Sequence, residues 1–356
     1  MASAPDLGTR ADHPEVQTWQ AGAMHAITVL PTDATDAKGR HRPGPENMEW
    51  SQVETPTPGD GEVLVKVHAA GVNRGDLLQR QGLYPPPPGI TDVMGLEISG
   101  TVADLGPGVT GWREGDEVVA LLAGGGYAEY AVVPAGQLLH MPHGVDPVVA
   151  STLVEVAATV VSNMDHVGLE TDQTLLVHGG AGGIGQFAIQ YAKGLGCRVI
   201  TTCGTAEKRQ FCTDIGADVA LDYHDDWVSG VKGATDGWGA DVILDVMGAK
   251  YLGLNVDSLA TGGRLVIIGM QGGAKGELNI GKLLNKRGTV TATSLRGRPV
   301  EEKAEICRRV EEVVWPMYAD GRINPAPVEV FPISEAGAAH ARLGSGEVLG
   351  KVALTL

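Results

Sequence analysis

The chain is predicted to be an α/β protein in which a doubly wound parallel sheet is joined to a second, β-rich domain. Three observations predict it. From about residue 24 to 145, short alternating stretches are broken by Gly and Pro. From about 150 to 295, the rhythm changes to apolar strand, Gly-rich turn, helix and strand again, the pattern of a parallel sheet with crossover helices. In the middle, the apolar run Leu175-Leu176-Val177 passes directly into the glycine cluster 179–185.

Taken in chain order, residues 1–23 have neither an apolar centre nor a clear period and read as a disordered extension. The first β-rich part, 24–147, has strand-like segments at 62–67, 97–103 and 116–122, separated by turns such as Pro58-Gly59-Asp60-Gly61 and Leu105-Gly106-Pro107-Gly108. The α/β part, 148–295, places strands at 174–177, 198–203, 219–222, 241–246, 264–269 and 289–294. Helical periodicity fills 183–194 and 207–215 between them. The remainder, 296–356, carries a charged helix at 300–318 and strand-like 328–331 and 351–356, expected to return to the first domain.

Composition narrows the function. With 27 basic and 43 acidic side chains the net charge is −16, which repels phosphate backbones and anionic lipids, so no nucleic-acid or membrane partner is expected. No apolar run reads as reaching the roughly 18 residues that span a bilayer, and the chain reads as cytoplasmic. The four cysteines, Cys197, Cys203, Cys212 and Cys307, form no CxxC pair, and His140 and His143 flank a Met-Pro turn without a nearby Glu or Cys, so no metal site is expected. Glycine supplies 51 of 356 residues, about twice the usual share of roughly 7%. With 43% of the chain hydrophobic and no Gly-X-Y period, the excess demands a structural explanation.

Gly180, Gly182 and Gly185 satisfy G-x-G-x-x-G between a strand and a helix. A pyrophosphate approaches bare backbone amides at such a helix N-terminus, and the last glycine lets helix and strand pack closely, so the motif predicts a dinucleotide site at Gly180, Ala181, Gly182, Gly183 and Ile184. About 20 residues on, an acid would hold the ribose 2′-hydroxyl of NAD. The sequence there is Cys203-Gly204-Thr205-Ala206-Glu207-Lys208-Arg209. Thr205, Lys208 and Arg209 suit a 2′-phosphate instead, which favours NADPH, although both cations also read as solvated helix residues.

With these motifs the chain resembles the zinc-free quinone oxidoreductases of the medium-chain dehydrogenase/reductase superfamily, the zeta-crystallin group. The resemblance lies in 172–176, 180–185, Gln190 and Lys193 around the turn. The stretches 70–89, 121–130 and 283–288 are similar to the p53-inducible quinone oxidoreductase branch. It implies a Rossmann NADPH-binding domain at 148–295, a GroES-like catalytic domain at 24–147 plus 296–356, and a homodimer. Zinc alcohol dehydrogenases of the superfamily carry a catalytic cysteine and a Gly-His-Glu where this chain has Asn73 and Gly95-Leu96-Glu97. Without those ligands, the chemistry left is hydride donation from NADPH to an acceptor needing little activation, a quinone or other conjugated carbonyl.

The resemblance also implies site residues. Asn73 and Tyr84 fall on the substrate and nicotinamide side, and Thr159 beside the nicotinamide ribose. Gly204 and Tyr223 fall at the adenosine end, Val246, Gly269 and Met270 at the carboxyl edge of the sheet, with Ser294 and Lys351 as further contacts. Bland readings stand beside some of these: Asn73 and Asp76 as caps of a local helix, Tyr84 as a packed loop anchor. Two alternatives to quinone reduction remain, reduction of enones or enoyl thioesters, and a non-catalytic NADPH-binding, crystallin-like protein.

Overall fold

A computed structural model describes residues 22–356. Residues 1–21 of the expected extension lie outside the described residues, and Ala23 already opens the first strand. In chain order the strands are β1 Ala23–Val29, β2 Met48–Glu54, β3 Glu62–Val72, β4 Glu97–Leu105, β5 Glu117–Leu121, β6 Tyr130–Pro134, β7 Leu138–His140, β8 Thr174–His178, β9 Arg198–Cys203, β10 Val219–Asp222, β11 Ala240–Asp245, β12 Leu259–Ile267, β13 Thr289–Ala292, β14 Val328–Pro332 and β15 Lys351–Thr355. The helices are α1 Arg74–Arg80, α2 Pro147–Ala150, α3 Val154–Val167, α4 Gly183–Gly194, α5 Ala206–Asp214, α6 Trp227–Ala234, α7 Leu252–Ser258, α8 Ile280–Lys286, α9 Val300–Ala319 and α10 Ala336–Gly344.

β8 to β13 form a six-stranded sheet in the order β10-β9-β8-β11-β12-β13, every pair parallel. The order reverses between β8 and β11, the switch point at whose carboxyl edge open α/β sheets bind ligands. The strands read as unbroken apolar runs because both faces are covered. Leu175 and Val177 of β8 face a core with Val160 and Val161 of α3, Phe187 and Ala188 of α4, and Val310 and Val314 of α9. Leu176, between them, joins Ile200, Ile243 and Leu265 on the other face, under Trp227 and Val231 of α6.

The second sheet runs β14-β15-β3-β4-β5-β7, with β6 also on β3. The last strand pairs antiparallel with β3, Val352 opposite Val72 and Leu354 opposite Ala70, so it returns to the β-rich sheet begun by the first part of the chain. β1 and β2 form a separate antiparallel ribbon.

Several expectations need correction. Leu259 opens β12 five residues before the expected start at 264, because Thr261-Gly262-Gly263 masks the strand in the sequence. That strand ends at Ile267, so Gly269 lies two residues beyond it, and Val246 one beyond β11. The segment Pro147–Val167 is long and apolar enough, by length and composition, to cross a membrane, contrary to the reading from sequence. It is broken into α2 and α3 by Ser151-Thr152-Leu153, and 78% of its apolar window is buried inside the fold, so it serves as the core helix.

Strand-to-helix packing at the turn explains one glycine sharply. A Cβ on Gly185 would lie 2.3 Å from the Gly179 carbonyl oxygen and 2.5 Å from Gly180 Cα, both backbone. On Gly182, whose φ of −83° suits any residue, the nearest atom would be 3.6 Å away. Gly185→Ala is therefore expected to destabilise by about 1–3 kcal/mol or more, and Gly182→Ala to stay within about 0.5 kcal/mol of wild type. Urea unfolding of both variants checks the contrast; equal losses would contradict it.

Candidate functional site

The site is organised by one carboxylate. Glu97, the first residue of β4, is completely buried. Its Oε1 accepts from Asn73 Nδ2 at 2.9 Å and Lys351 Nζ at 2.7 Å, and its Oε2 from the Glu155 amide at 3.0 Å. Lys351 Nζ also donates to Asn73 Oδ1 at 2.5 Å. Thus the start of α1, the first turn of α3 and the first residue of β15 converge on one acid, which also compensates the α3 N-terminus. Gly71 must be bare for this, since its Cβ would lie 2.4 Å from Glu97 Oε1 and 2.7 Å from the Ser151 carbonyl.

Around this triad the groups are tuned by burial. Asp76 is buried with its carboxylate accepting from the amides of Asn73 and Gly95. Burial pushes its acid up to about 6 against those amide contacts. It caps α1 structurally, as the bland reading had it. Asn73 precedes α1, but its side chain is spent on Glu97 and Lys351. Glu155 is pushed up to about 7 by burial, with Lys351 opposing and Glu97 adding to the rise. Its Oε1 accepts from Thr159 Oγ1 at 3.1 Å, one helical turn on.

The glycine turn adjoins the triad. Gly182 bridges Gly350, and a Cβ on Gly183 would meet Lys351 Cδ at 2.6 Å, so the lysine stem crosses the opening of α4. The first amides of α4 have no acceptor within the helix. Those bare amides fit a pyrophosphate. At the end of β9, Gly204 leaves room for Tyr223, whose hydroxyl a Cβ would meet at 2.4 Å. Thr205 caps α5 by accepting from the Lys208 amide at 3.2 Å. Lys208 Nζ donates to the Gly346 carbonyl, a neutral acceptor, whereas Arg209 is paired with Asp222. Lys208 is therefore the cation free of an ion pair in this turn.

Other expected residues are less convergent. Gly269 packs on Val246, with a would-be Cβ 2.7 Å from its carbonyl, and Met270 beside it is 66% exposed. Ser294 is exposed, and its carbonyl accepts from Arg298. His178, at the end of β8, is locked between Thr202 Oγ1 at 2.9 Å and Asn255 Oδ1 at 2.7 Å. Burial lowers it to about 4, so it is a neutral core residue. A surface depression of about 390 Å³, bordered by Gly22, Ala23, Gln52, Val53 and Glu54, carries none of this chemistry.

Three residues escaped the sequence reading. Glu97 was visible only as part of a motif, and Glu155 only as the neighbour of Thr159. Arg296 had no signal at all. It is buried, donating to the carbonyls of Ala123 at 2.7 Å and Tyr84 at 2.9 Å and to Gln79 Oε1 at 2.7 Å, with its guanidinium 4.9 Å from the Tyr84 ring centre. Tyr84 is thereby both clamped through its backbone and faced by a cation.

A doubly wound sheet with a bare glycine turn, abutting a β-rich lobe, is the architecture of a two-domain oxidoreductase. The model for the alcohol dehydrogenase GroES-like domain matches residues 59–143, and that for the zinc-binding dehydrogenase domain matches 183–312. A Pseudomonas aeruginosa quinone oxidoreductase is 31% identical over 87% of this chain and 96% of its own length. Bovine prostaglandin reductase-3 is 36% identical over 68% of this chain, a match spanning 63% of that relative. The structure of an Escherichia coli quinone oxidoreductase complexed with NADPH superposes with a TM-score of 0.79 at 29% identity, covering 93% of this chain and 100% of the other. The chain belongs to the medium-chain dehydrogenase/reductase superfamily, in its zinc-independent, quinone-oxidoreductase-like group.

Zinc does not fit here despite the name of the matched domain. Leu96 is apolar, Asn73 is hydrogen-bonded on both side-chain atoms, and the Lys351 ammonium already supplies the positive charge between Asn73 and Glu97.

Two outcomes follow. Lys351→Met leaves the Glu97 carboxylate buried without its cation and is expected to cost about 3–5 kcal/mol in urea unfolding. Because Glu155 binds its proton more tightly folded than unfolded, it adds stability that is full below about pH 4.5 and lost as pH rises through about 7. Glu155→Gln should flatten the decline in melting temperature between those pH values; an unchanged slope would refute the assignment.

Proposed function

We propose that this protein is an NADPH-dependent quinone reductase that transfers hydride directly, without zinc or flavin. The observation that carries the reading is the bare glycine turn beside a buried Asn73–Glu97–Lys351 triad. When bound, NADPH supplies the hydride. The amides of Gly183 and Ile184 hold the pyrophosphate, and Gly180, Ala181 and Gly182, the first and last of which donate to the Thr202 and Gly179 carbonyls, shape the turn around it. Thr205 and Lys208 hold the 2′-phosphate, and Gly204 and Tyr223 flank the adenosine. Thr159, Val246, Gly269, Met270, Ser294 and Lys351 border the nicotinamide half.

Asn73 and Tyr84 face the acceptor in this reading. Arg296 keeps Tyr84 in place, and the apolar Leu96 and the buried network exclude water. The acceptor also needs a proton, and Glu155, half-protonated near neutrality, holds one next to Thr159 Oγ1. The likeness to prostaglandin reductase-3 favours a second reading, reduction of an enone or enoyl thioester, which uses the same hydride geometry.

The test is NADPH oxidation followed side by side with ortho-quinones, para-quinones, simple enones and crotonyl-CoA. Turnover of quinones above the others is expected. Turnover of the thioester or enone alone would replace the first reading with the second, and none at all would favour a non-catalytic NADPH-binding protein. Lys208→Ala should weaken NADPH by roughly tenfold or more, as one charge-assisted contact is lost, while leaving NADH nearly unchanged; equal losses would sink the 2′-phosphate assignment.

A further inference from the structure

Cys203 ends β9 and Cys212 lies in the second turn of α5, so the strand–turn–helix unit folds two thiols, nine positions apart in sequence, onto each other. Their sulfurs are 3.2 Å apart, and both are buried, Cys203 at 3% exposed and Cys212 at 0%. The pair lies directly under the phosphate turn: a Cβ on Gly180 would meet Cys212 Sγ at 2.9 Å. The other two cysteines are buried singly, Cys197 against the Glu170 carbonyl and Cys307 against that of Gln137.

The two thiols are unlike. The hydrogen bond from Cys212 chiefly lowers the Cys203 thiol against the opposing effect of burial, helped by the amides of Ala181 and Gly180 and by the Lys208 charge. The same contact and burial raise Cys212. A nucleophilic sulfur beside a protonated partner within about 1 Å of bonding distance is the arrangement of an attacking and a resolving cysteine.

We propose that Cys203 and Cys212 form a redox-active dithiol beneath the phosphate turn, which a hydroperoxide closes to a disulfide and a bound dinucleotide keeps reduced. The Cys203 thiolate attacks a peroxide oxygen; the O–O bond breaks, and the departing oxyanion takes the proton that Cys203 released. Cys203, now a sulfenic acid, has lost two electrons. Cys212 then attacks that sulfur, the S–S bond forms, the S–O bond breaks, and hydroxide leaves with the Cys212 proton as water. Because the pair is covered, peroxide gains access only when the 179–182 turn opens, and a pyrophosphate on that turn would hold it shut. The protective half rests on the dinucleotide reading above; the dithiol itself does not.

The test treats the full chain with hydrogen peroxide, with and without saturating NADPH, then unfolds and alkylates it for peptide mass spectrometry. A Cys203–Cys212 cross-link reversed by dithiothreitol is expected. Cys212→Ser should instead accumulate a dimedone-trapped sulfenic acid at Cys203, and Cys203→Ser should give neither product; circular dichroism checks that both near-isosteric variants fold. NADPH should slow the cross-link about tenfold. Free alkylation of both thiols after peroxide, or oxidation of Cys197 and Cys307 at the same rate, would overturn the dithiol. Undiminished cross-linking while NADPH fluorescence shows the reduced protein loaded would overturn protection. Failure of NADPH to bind at all would instead overturn the cofactor reading and leave the cross-link standing.

Discussion

The buried carboxylate of Glu97 is the constraint on which the rest depends. A charge with no exposed surface must be paired and hydrogen-bonded, since an isolated one costs several kcal/mol. Here three donors from three distant parts of the chain meet that demand: Asn73 before α1, Glu155 at the start of α3 and Lys351 at the start of β15. Satisfying one acid therefore positions the helix that leads to Tyr84, the core helix behind the parallel sheet and the C-terminal strand. Lys351 then carries the constraint onward, because its stem lies over Gly183 and its neighbour Gly350 bridges Gly182. The glycine turn and the β-rich sheet are thereby fixed relative to one another by a single ionic cluster.

This arrangement also explains how a zinc-type fold stands without zinc. A metal would supply positive charge and a rigid link between elements. The Lys351 ammonium does both at the Asn73–Glu97 position, but as a hydrogen-bond donor it has no open coordination position to offer. What remains for chemistry is shape, a preset backbone surface and a few groups held near neutrality by burial, Asp76 and Glu155 among them. Hydride transfer to an acceptor that needs little polarisation is compatible with such a site, which asks the protein mainly for placement.

Much of the fold was legible from local pattern. The strands of the parallel sheet emerged as apolar runs because burial on both faces leaves no polar alternation, and β9 and β10 were located to the residue. The exception is instructive: β12 begins at Leu259, opposite Ala240 of β11, and the ladder resumes only at Arg264 opposite Val242, so Thr261-Gly262-Gly263 lies in a register shift and reads as a turn. At the site, the glycines, Thr205 and Lys208 were visible because their role follows from the turn's own spacing. Glu97, Glu155 and Arg296 were not, since each depends on at least one partner 58 or more residues away.

By itself, the sequence determined the class of fold, the position of the glycine turn and the absence of zinc-ligating side chains at residues 73 and 96, because each is written in neighbouring residues through periodicity, steric freedom at glycine or ligand chemistry. Only the tertiary structure decided which charges are spent and which are free. Lys208 and Arg209 look alike in sequence, yet Asp222 takes Arg209 and leaves Lys208 on a neutral carbonyl. Lys351, unremarkable at the head of a strand, becomes the cation of a buried cluster, and two of four scattered cysteines become a pair. Pairing, burial and the resulting shifts in proton affinity are properties of groups brought together across the chain, so no local pattern encodes them.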